Sequence, residues 1–190
     1  MLASVGDPPD GTPLSLTEYE RLETEYAAEL IDGRLSYRPF SDETHQRITG
    51  FFLDRLRAFA GKTGSAPLVM FGKFHVRTPR GFRAPDLEAL LRHDDSRRRA
   101  LWWDGADLAA EIVSPDDPDR DLVEKRREYA EAGIPEYWIV DPRPGFQRVA
   151  VLSLEDGAYR GEFVGEGGTV ASRLLPGFKV PVADCLNPPD

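Results

Sequence analysis

Residues 108–113 read Leu-Ala-Ala-Glu-Ile-Val. Such a run is a strand fit for burial on both faces of a sheet, apart from one carboxylate, Glu111. Left there without a partner, that group would cost several kcal/mol or take up a proton. The chain must therefore fold so that a cation or a donor meets Glu111 inside the sheet. Two other segments carry charge in apolar settings. Asp86 follows Pro85 directly and opens the run Asp-Leu-Glu-Ala-Leu-Leu. On a helix expected over residues 119–132, Leu122, Lys125, Tyr129 and Ala132 share one face at i, i+3, i+7 and i+10, and that face is otherwise apolar. A coreward lysine needs a carboxylate, so Asp86, Glu111 and Lys125 are natural mutual partners.

The remaining pattern predicts an α/β or α+β chain with a mixed sheet. Residues 1–13, rich in Pro, Gly and Asp, read as a flexible tail, and 14–186 as a single domain. Ser15 with Glu18 is a capping box opening a helix. Asp32-Gly33 between residues 27–31 and 34–37 is a hairpin signal. Ser41 or Asp42 caps a helix to about residue 60, with Gly61 just beyond it. Strands follow over 68–71, 73–77 and 84–91, the last two joined through Thr78-Pro79-Arg80-Gly81. Residues 92–104 form a charged loop with an aromatic end. After the helix over 119–132, Gly133 takes the C′ position. Residues 135–140 form a buried strand, and 147–154, 159–164 and 169–173 form antiparallel strands whose edge would suit a homodimer.

Composition narrows the function classes. A formal net charge of −9 argues against coating nucleic acid through bulk charge, although a divalent metal can invert the field of an acidic site. One cysteine, Cys185, excludes an intramolecular disulfide. No apolar run nears the ~18 residues of a membrane helix. The start, MLASVGDPPDGTP, has neither a basic nor an apolar leader region, so the default expectation is a cytoplasmic protein without membrane contact. There is no G-x-S-x-G elbow, Walker A loop, dinucleotide fingerprint or H-E-x-x-H, and His45, His75 and His93 are too scattered for a local zinc signature.

Two carboxylates with a lysine suit metal-dependent phosphodiester chemistry. Magnesium commonly takes one or two carboxylates and fills its shell with water and phosphate. The lysine can orient the attacking water or neutralise phosphate charge. A purely structural Glu–Lys pair holding a helix on a sheet accounts for the same periodicity.

At these residues the chain also resembles a family. Pro85-Asp86, then Glu111-Ile112-Val113-Ser114-Pro115, then Asp121-x-x-x-Lys125-x-x-x-Tyr129, then Gly133-Ile134-Pro135-Glu136-Tyr137-Trp138-Ile139-Val140-Asp141-Pro142 resemble the Uma-two family. That family is placed in the PD-(D/E)XK restriction-endonuclease-like superfamily. Glu29-Leu30-Ile31-Asp32-Gly33, His45 and Leu175-Pro176-Gly177-Phe178 match it too, so the likeness covers roughly residues 15–186. It implies a restriction-endonuclease-like α/β fold, with Asp86 and Glu111 as ligands of Mg²⁺ or Mn²⁺ and Lys125 as the catalytic lysine. Val113 departs from the superfamily pattern, which has a lysine two residues after the glutamate; Lys125 resembles its migrated replacement.

Other candidates carry two readings each. Glu29 is either an extra ligand or supporting carboxylate, or an exposed strand residue. His45 either supports the site and contacts phosphate, or is an ordinary helix-end histidine. Glu88 shares a face with Asp86 and reads as solvated or ion-paired. Arg97-Arg98-Arg99 beside Trp102-Trp103 reads as an arginine loop on a core edge ahead of a nucleic-acid grip. The expectation is a metal-dependent endonuclease acting on nucleic acid, DNA first. Its rivals are a non-cleaving nucleic-acid-binding or regulatory protein on the same fold, and a two-carboxylate glycosidase.

Overall fold

The computed structural model describes residues 6–24, 27–38, 41–63, 67–72 and 74–189. Its first helix, α1 (Leu16–Glu20), opens on the expected capping box: Ser15 accepts from the Glu18 amide, and Glu18 accepts from the Ser15 amide. Of the expected tail, residues 1–5 lie outside the described residues. Gly11 donates to the Leu35 carbonyl and Leu35 to that of Thr12, so this part of the chain runs along the following hairpin. That hairpin joins β1 (Ala28–Ile31) to β2 (Arg34–Tyr37). Asp32 and Gly33 have φ of 50° and 73°, the mirror-image turn that Asp-Gly favours.

Asp42 accepts from the His45 amide at 2.8 Å and so caps α2 (Glu43–Thr63). Gly61 is not its C′ residue: its backbone stays helical, and the Thr63 hydroxyl bonds back to the Phe59 carbonyl at 3.0 Å.

Next come β3 (Leu68–Phe71) and β4 (His75–Thr78), with Lys73, the expected start of the latter, outside the described residues. The strand expected over 84–91 is shorter, β6 (Leu87–Leu90), and the expected connection through Gly81 runs instead into a separate strand, β5 (Gly81–Arg83), which lies in a different sheet. Pro85 has no N–H for a ladder, so pairing stops and the chain crosses between sheets there. Gly81 pairs with Ile31 at φ 142°, and a Cβ there would stand 1.9 Å from the Leu30 carbonyl oxygen. Gly81→Ala is therefore expected to destabilise the protein by about 1–3 kcal/mol from backbone strain alone, before the clash is counted. Urea unfolding measures this; an unchanged midpoint would contradict the geometry.

β7 (Trp102–Trp103) pairs in parallel with β4, completing a five-stranded sheet in the order β2-β1-β5-β4-β7. After it, β8 (Leu108–Ile112) leads into a π-helical stretch, Arg120–Lys125, that continues as α3 (Arg126–Glu131). Gly133, at φ 72°, ends this helix: its amide donates to the Ala130 carbonyl and that of Ile134 to the Tyr129 carbonyl. This Schellman closure turns the chain straight into β9 (Glu136–Asp141). β8 and β9 are parallel, and the intervening helix is their crossover.

β10 (Arg148–Glu155) pairs with β9 and carries two short strands on its outer edge. The strand expected over 159–164 is these two, β11 (Ala158–Arg160) and β12 (Phe163–Gly165), separated at Gly161. Gly161 has φ 138°, so the backbone turns there and the two pieces pair with opposite ends of β10. The seven-stranded sheet thus runs β11-β10-β9-β8-β6-β3, with β12 also on β10. β13 (Thr169–Ala171) pairs with β14 (Lys179–Pro181), and α4 (Val182–Leu186) ends the fold. Phe178, between the last two strands, stacks on Trp138 at 5.4 Å.

Every residue of β8 is buried, as its composition requires. Its two faces build separate cores. Leu108, Ala110 and Ile112 pack with Phe52, Leu56, Trp138 and Phe178 on the α2 side. Ala109 packs with Tyr129, Tyr137 and Ile139 on the α3 side. Glu111 alternates onto the α3 side, toward Lys125. No helix among the described residues is long and apolar enough to cross a membrane.

Candidate active site

The register of the seven-stranded sheet brings the two expected carboxylates together. β6 pairs antiparallel with β8 so that Leu87 faces Ala110 and Glu88 faces Ala109. One step further sets Asp86 opposite Glu111 on the same face, the closest relation two strands offer. The next step would set Pro85 opposite Ile112. Proline's break leaves the Ile112 amide without a ladder partner, and Asp86 Oδ2 accepts from it at 2.8 Å. That bond fixes the Asp86 carboxylate beside Glu111.

Lys125 closes the group from the helix. Its ammonium lies 2.8 Å from Glu111 Oε2 and 3.0 Å from Asp121 Oδ1, and its side chain is 1% exposed. Tyr129, one turn on, donates to Glu111 Oε1 at 2.6 Å. The buried stripe is thus Asp121, Lys125, Glu128 and Tyr129, whereas Leu122 is only half-buried. A π turn is wider than an α turn, which brings the residue four positions back, rather than three, beneath Lys125. The coreward lysine stands as expected; its neighbour is a carboxylate instead of a leucine.

His45, in the first turn of α2, places Nε2 3.0 Å from Asp86 Oδ1 and so joins the site. Arg38, just past β2, donates from Nη2 to the same oxygen at 2.5 Å and from Nη1 to the Ala84 carbonyl at 2.5 Å. Glu29 is buried and one shell out. Its Oε2 accepts from Arg83 at 3.0 Å and Arg120 at 2.6 Å, and its Oε1 from the Ala84 amide at 3.1 Å. It is neither an exposed strand residue nor a neighbour of Asp86; it holds the arginine that precedes Asp121. Arg83 continues the network to Glu128, which Thr78 also contacts.

Electrostatics separate these carboxyls. Burial works against Asp86, but Arg38, His45 and Lys125 hold it well below the usual carboxylate range. Burial raises Glu111, aided by the negative Asp86 and Asp121 and opposed by Lys125. Lys125 is desolvated, yet Asp121 and Glu111 keep it above the ordinary lysine value, so it is a cation at neutral pH. Glu88 differs from its solvated or ion-paired reading: it is fully buried and neither oxygen has a hydrogen bond. Burial, then Glu111 and Asp86, push its carboxyl well above the ordinary range, which favours its protonated form. The arginine loop is the bland one, with Arg97 on Asp95 and Asp107, Arg99 on Asp104, and Trp103 buried.

An open cleft of about 440 Å³ lies next to these groups, reached by Arg38, His45, Asp121 and Lys125, with Asp86 and Glu111 buried behind them. Ile112 to Asp117, Pro142 to Pro144, Arg38, His45, Arg120, Asp121 and Lys125 line it. It lies beyond the carboxyl ends of the parallel β8 and β9, where open α/β sheets place ligands. Arg38 is absent from the sequence reading, in which Asp121 and Tyr129 are motif positions around Lys125 without a role in the site. Those two sit four residues either side of Lys125, a spacing visible in the sequence; nothing local marks Arg38.

The donor set fits a hard divalent cation. Glu111 Oε2 is buried, meets the Lys125 ammonium only as an ion pair, and receives no hydrogen bond. Asp86 Oδ1 faces the same space. No cluster of three or more His, Cys, Asp or Glu able to hold a metal occurs among the described residues. Two carboxylates completed by water and phosphate is a magnesium-type set; zinc would want more protein ligands.

The architecture has a counterpart among solved structures. A crystal structure described as a "putative nuclease belonging to DUF820", from Anabaena variabilis, superposes with a TM-score of 0.77 at 19% identity, covering 92% of this chain and 98% of that one. At that identity the likeness establishes the fold, a mixed α/β restriction-endonuclease-like one. No curated protein matches. The sequence itself matches the Uma2 family, described as "Putative restriction endonuclease", over residues 16–183. That span holds Asp86, Glu111, Lys125, Glu29 and His45 together, and the chain belongs to the Uma2 family.

Proposed function

We propose that the protein is a Mg²⁺- or Mn²⁺-dependent endonuclease that hydrolyses phosphodiester bonds of DNA. The observation that carries this reading is the cross-strand pair Asp86 and Glu111 with a buried Lys125 ammonium 2.8 Å from Glu111 Oε2, next to an open cleft that Lys125, Asp121, Arg38 and His45 line. Asp86 Oδ1 and Glu111 Oε2 would hold the cation. When bound, it would supply an acidified water and positive charge for the phosphorane-like transition state. Lys125, held as a cation, is suited to stabilise charge and orient water, and unsuited to act as a base. Arg120 and Arg143 also line the cleft, each held by a carboxylate.

The test is nicking of supercoiled plasmid with Mg²⁺, Mn²⁺ or EDTA, using wild type and Asp86→Asn. Wild type is expected to cleave with either cation and not with EDTA. Asp86→Asn is expected to lose cleavage by 10²-fold or more, on the order of a lost charged contact to the reacting centre, with its far-UV spectrum unchanged. An Asp86→Asn protein nicking at the wild-type rate in Mg²⁺ would remove the ligand assignment. DNA binding without cleavage in both metals would favour the non-cleaving rival.

A further inference from the structure

Asp86 and Glu111 present four oxygens. The Ile112 amide takes Asp86 Oδ2, and the Tyr129 hydroxyl takes Glu111 Oε1. The two that remain for a cation are Asp86 Oδ1 and Glu111 Oε2. Arg38 Nη2 lies against both, at 2.5 Å and 3.8 Å. A guanidinium on those oxygens and a divalent ion on the same oxygens exclude one another.

The other arginines and the lysine lining the cleft each keep a carboxylate partner outside the Asp86–Glu111 pair, although Lys125 also meets Glu111 Oε2. Arg120 is held by Glu29, Arg143 by both oxygens of Asp141, and Lys125 by Glu111 and Asp121. His45 shares Asp86 Oδ1. Arg38 is therefore the cleft arginine whose carboxylate partners a metal would take away. Its side chain is 14% exposed, so it has a way into the cleft. A guanidinium fork deprived of carboxylate matches a phosphodiester in shape and charge.

We propose that Arg38 is a resident counter-ion: it occupies the cation position of the metal-free protein, is displaced by the divalent ion, and then binds a phosphate of the nucleic acid in the cleft. This rests on the metal-dependent reading above. It couples the two ligands, since metal binding releases the arginine that DNA binding uses. It also suits a protein of net charge −9, in which a free cleft arginine appears only when the metal is in place.

The test compares wild type with Arg38→Met. Mn²⁺ binding is read by calorimetry, and binding of a short DNA duplex is read by anisotropy in Ca²⁺ and in EDTA. Removing the competitor is expected to tighten Mn²⁺ binding roughly tenfold, the factor for a site that is free of the arginine one part in ten. In Ca²⁺ the variant is expected to bind DNA more weakly and with a salt slope smaller by about one, and in EDTA with an unchanged slope. Mn²⁺ binding equal to or weaker than wild type would overturn the counter-ion role, because a merely supporting arginine would loosen the site when lost. Equal salt slopes in Ca²⁺ would overturn the phosphate contact. Wild type that binds no Mn²⁺ would overturn the metal reading, and this proposal with it. Neither readout uses cleavage, so an inactive protein still decides the matter. Should Arg38→Met fail to fold, the arginine side-chain NMR signals of wild type decide instead. Mg²⁺ must move the Arg38 Nε–Hε resonance, assigned with Arg38→Lys, and an unmoved signal at saturation overturns displacement.

Discussion

In Lys125→Met, cleavage is expected to fall about 10²–10³-fold in protein that remains folded, the scale of losing one preorganised charge at the reacting centre. The methionine keeps the aliphatic stem among Tyr129 and its neighbours and removes only the ammonium. That ammonium is desolvated and touches two carboxylates, so stability must fall too. Breaking a buried pair from one side typically costs about 3–5 kcal/mol. The two effects separate because Asp121→Asn, added to Lys125→Met, removes one stranded charge and is expected to recover part of the stability and none of the rate. Melting temperature, Mn²⁺ affinity and single-turnover rate on one preparation read all three quantities. If activity tracks only the folded fraction, and the double variant recovers both together, Lys125 is a structural partner of Glu111 and the catalytic assignment falls.

What could be read in the sequence was local or periodic. The Ser15–Glu18 box, the Asp32-Gly33 turn and the Gly133 closure stand as expected because each is decided within a few residues. Glu111 meeting Lys125 was legible for a different reason: an ionisable group in an apolar strand and another on an apolar helix face leave few other partners. The adjacency of Asp86 and Glu111 depends on the β6–β8 register, which joins segments some two dozen residues apart and is carried by no local pattern. Arg38 enters from beyond a hairpin, and its role depends on that same register. Glu88 misled because period two correctly put it on the face of Asp86, whereas its solvent exposure depends on what packs over that face. Of the two readings of Glu29, the exposed one falls for a similar reason. A carboxylate in a four-residue hairpin strand looks exposed until β5 pairs onto the other edge and brings Arg83 with it.

Glu29→Gln is expected to produce the largest loss of stability outside the cleft, and to make the protein's acid sensitivity smaller. Glu29 accepts from two guanidiniums and one amide while fully buried, so losing its charge leaves the buried Arg83, 2% exposed, with Glu128 as its one carboxylate partner and takes the carboxylate from Arg120. A loss of about 3–5 kcal/mol at neutral pH is the usual scale for one partner of such a set. Burial disfavours its charge, but Lys125, Arg83, Arg120 and Arg38 outweigh that and hold the folded carboxyl below its ordinary value. A depressed acid binds its proton more readily in the unfolded chain. Its stabilisation is therefore present above the unfolded value of about 4.3 and is lost as pH falls through the folded value. The gap between wild type and Glu29→Gln should be widest near pH 7 and narrow progressively below about pH 4.3. Urea unfolding at a series of pH values measures it. A gap that stays constant from neutral to acid would mean that Glu29 is not held ionised by its arginines. The network tying the Arg120 side of the cleft to the five-stranded sheet would then be one of packing and not of charge.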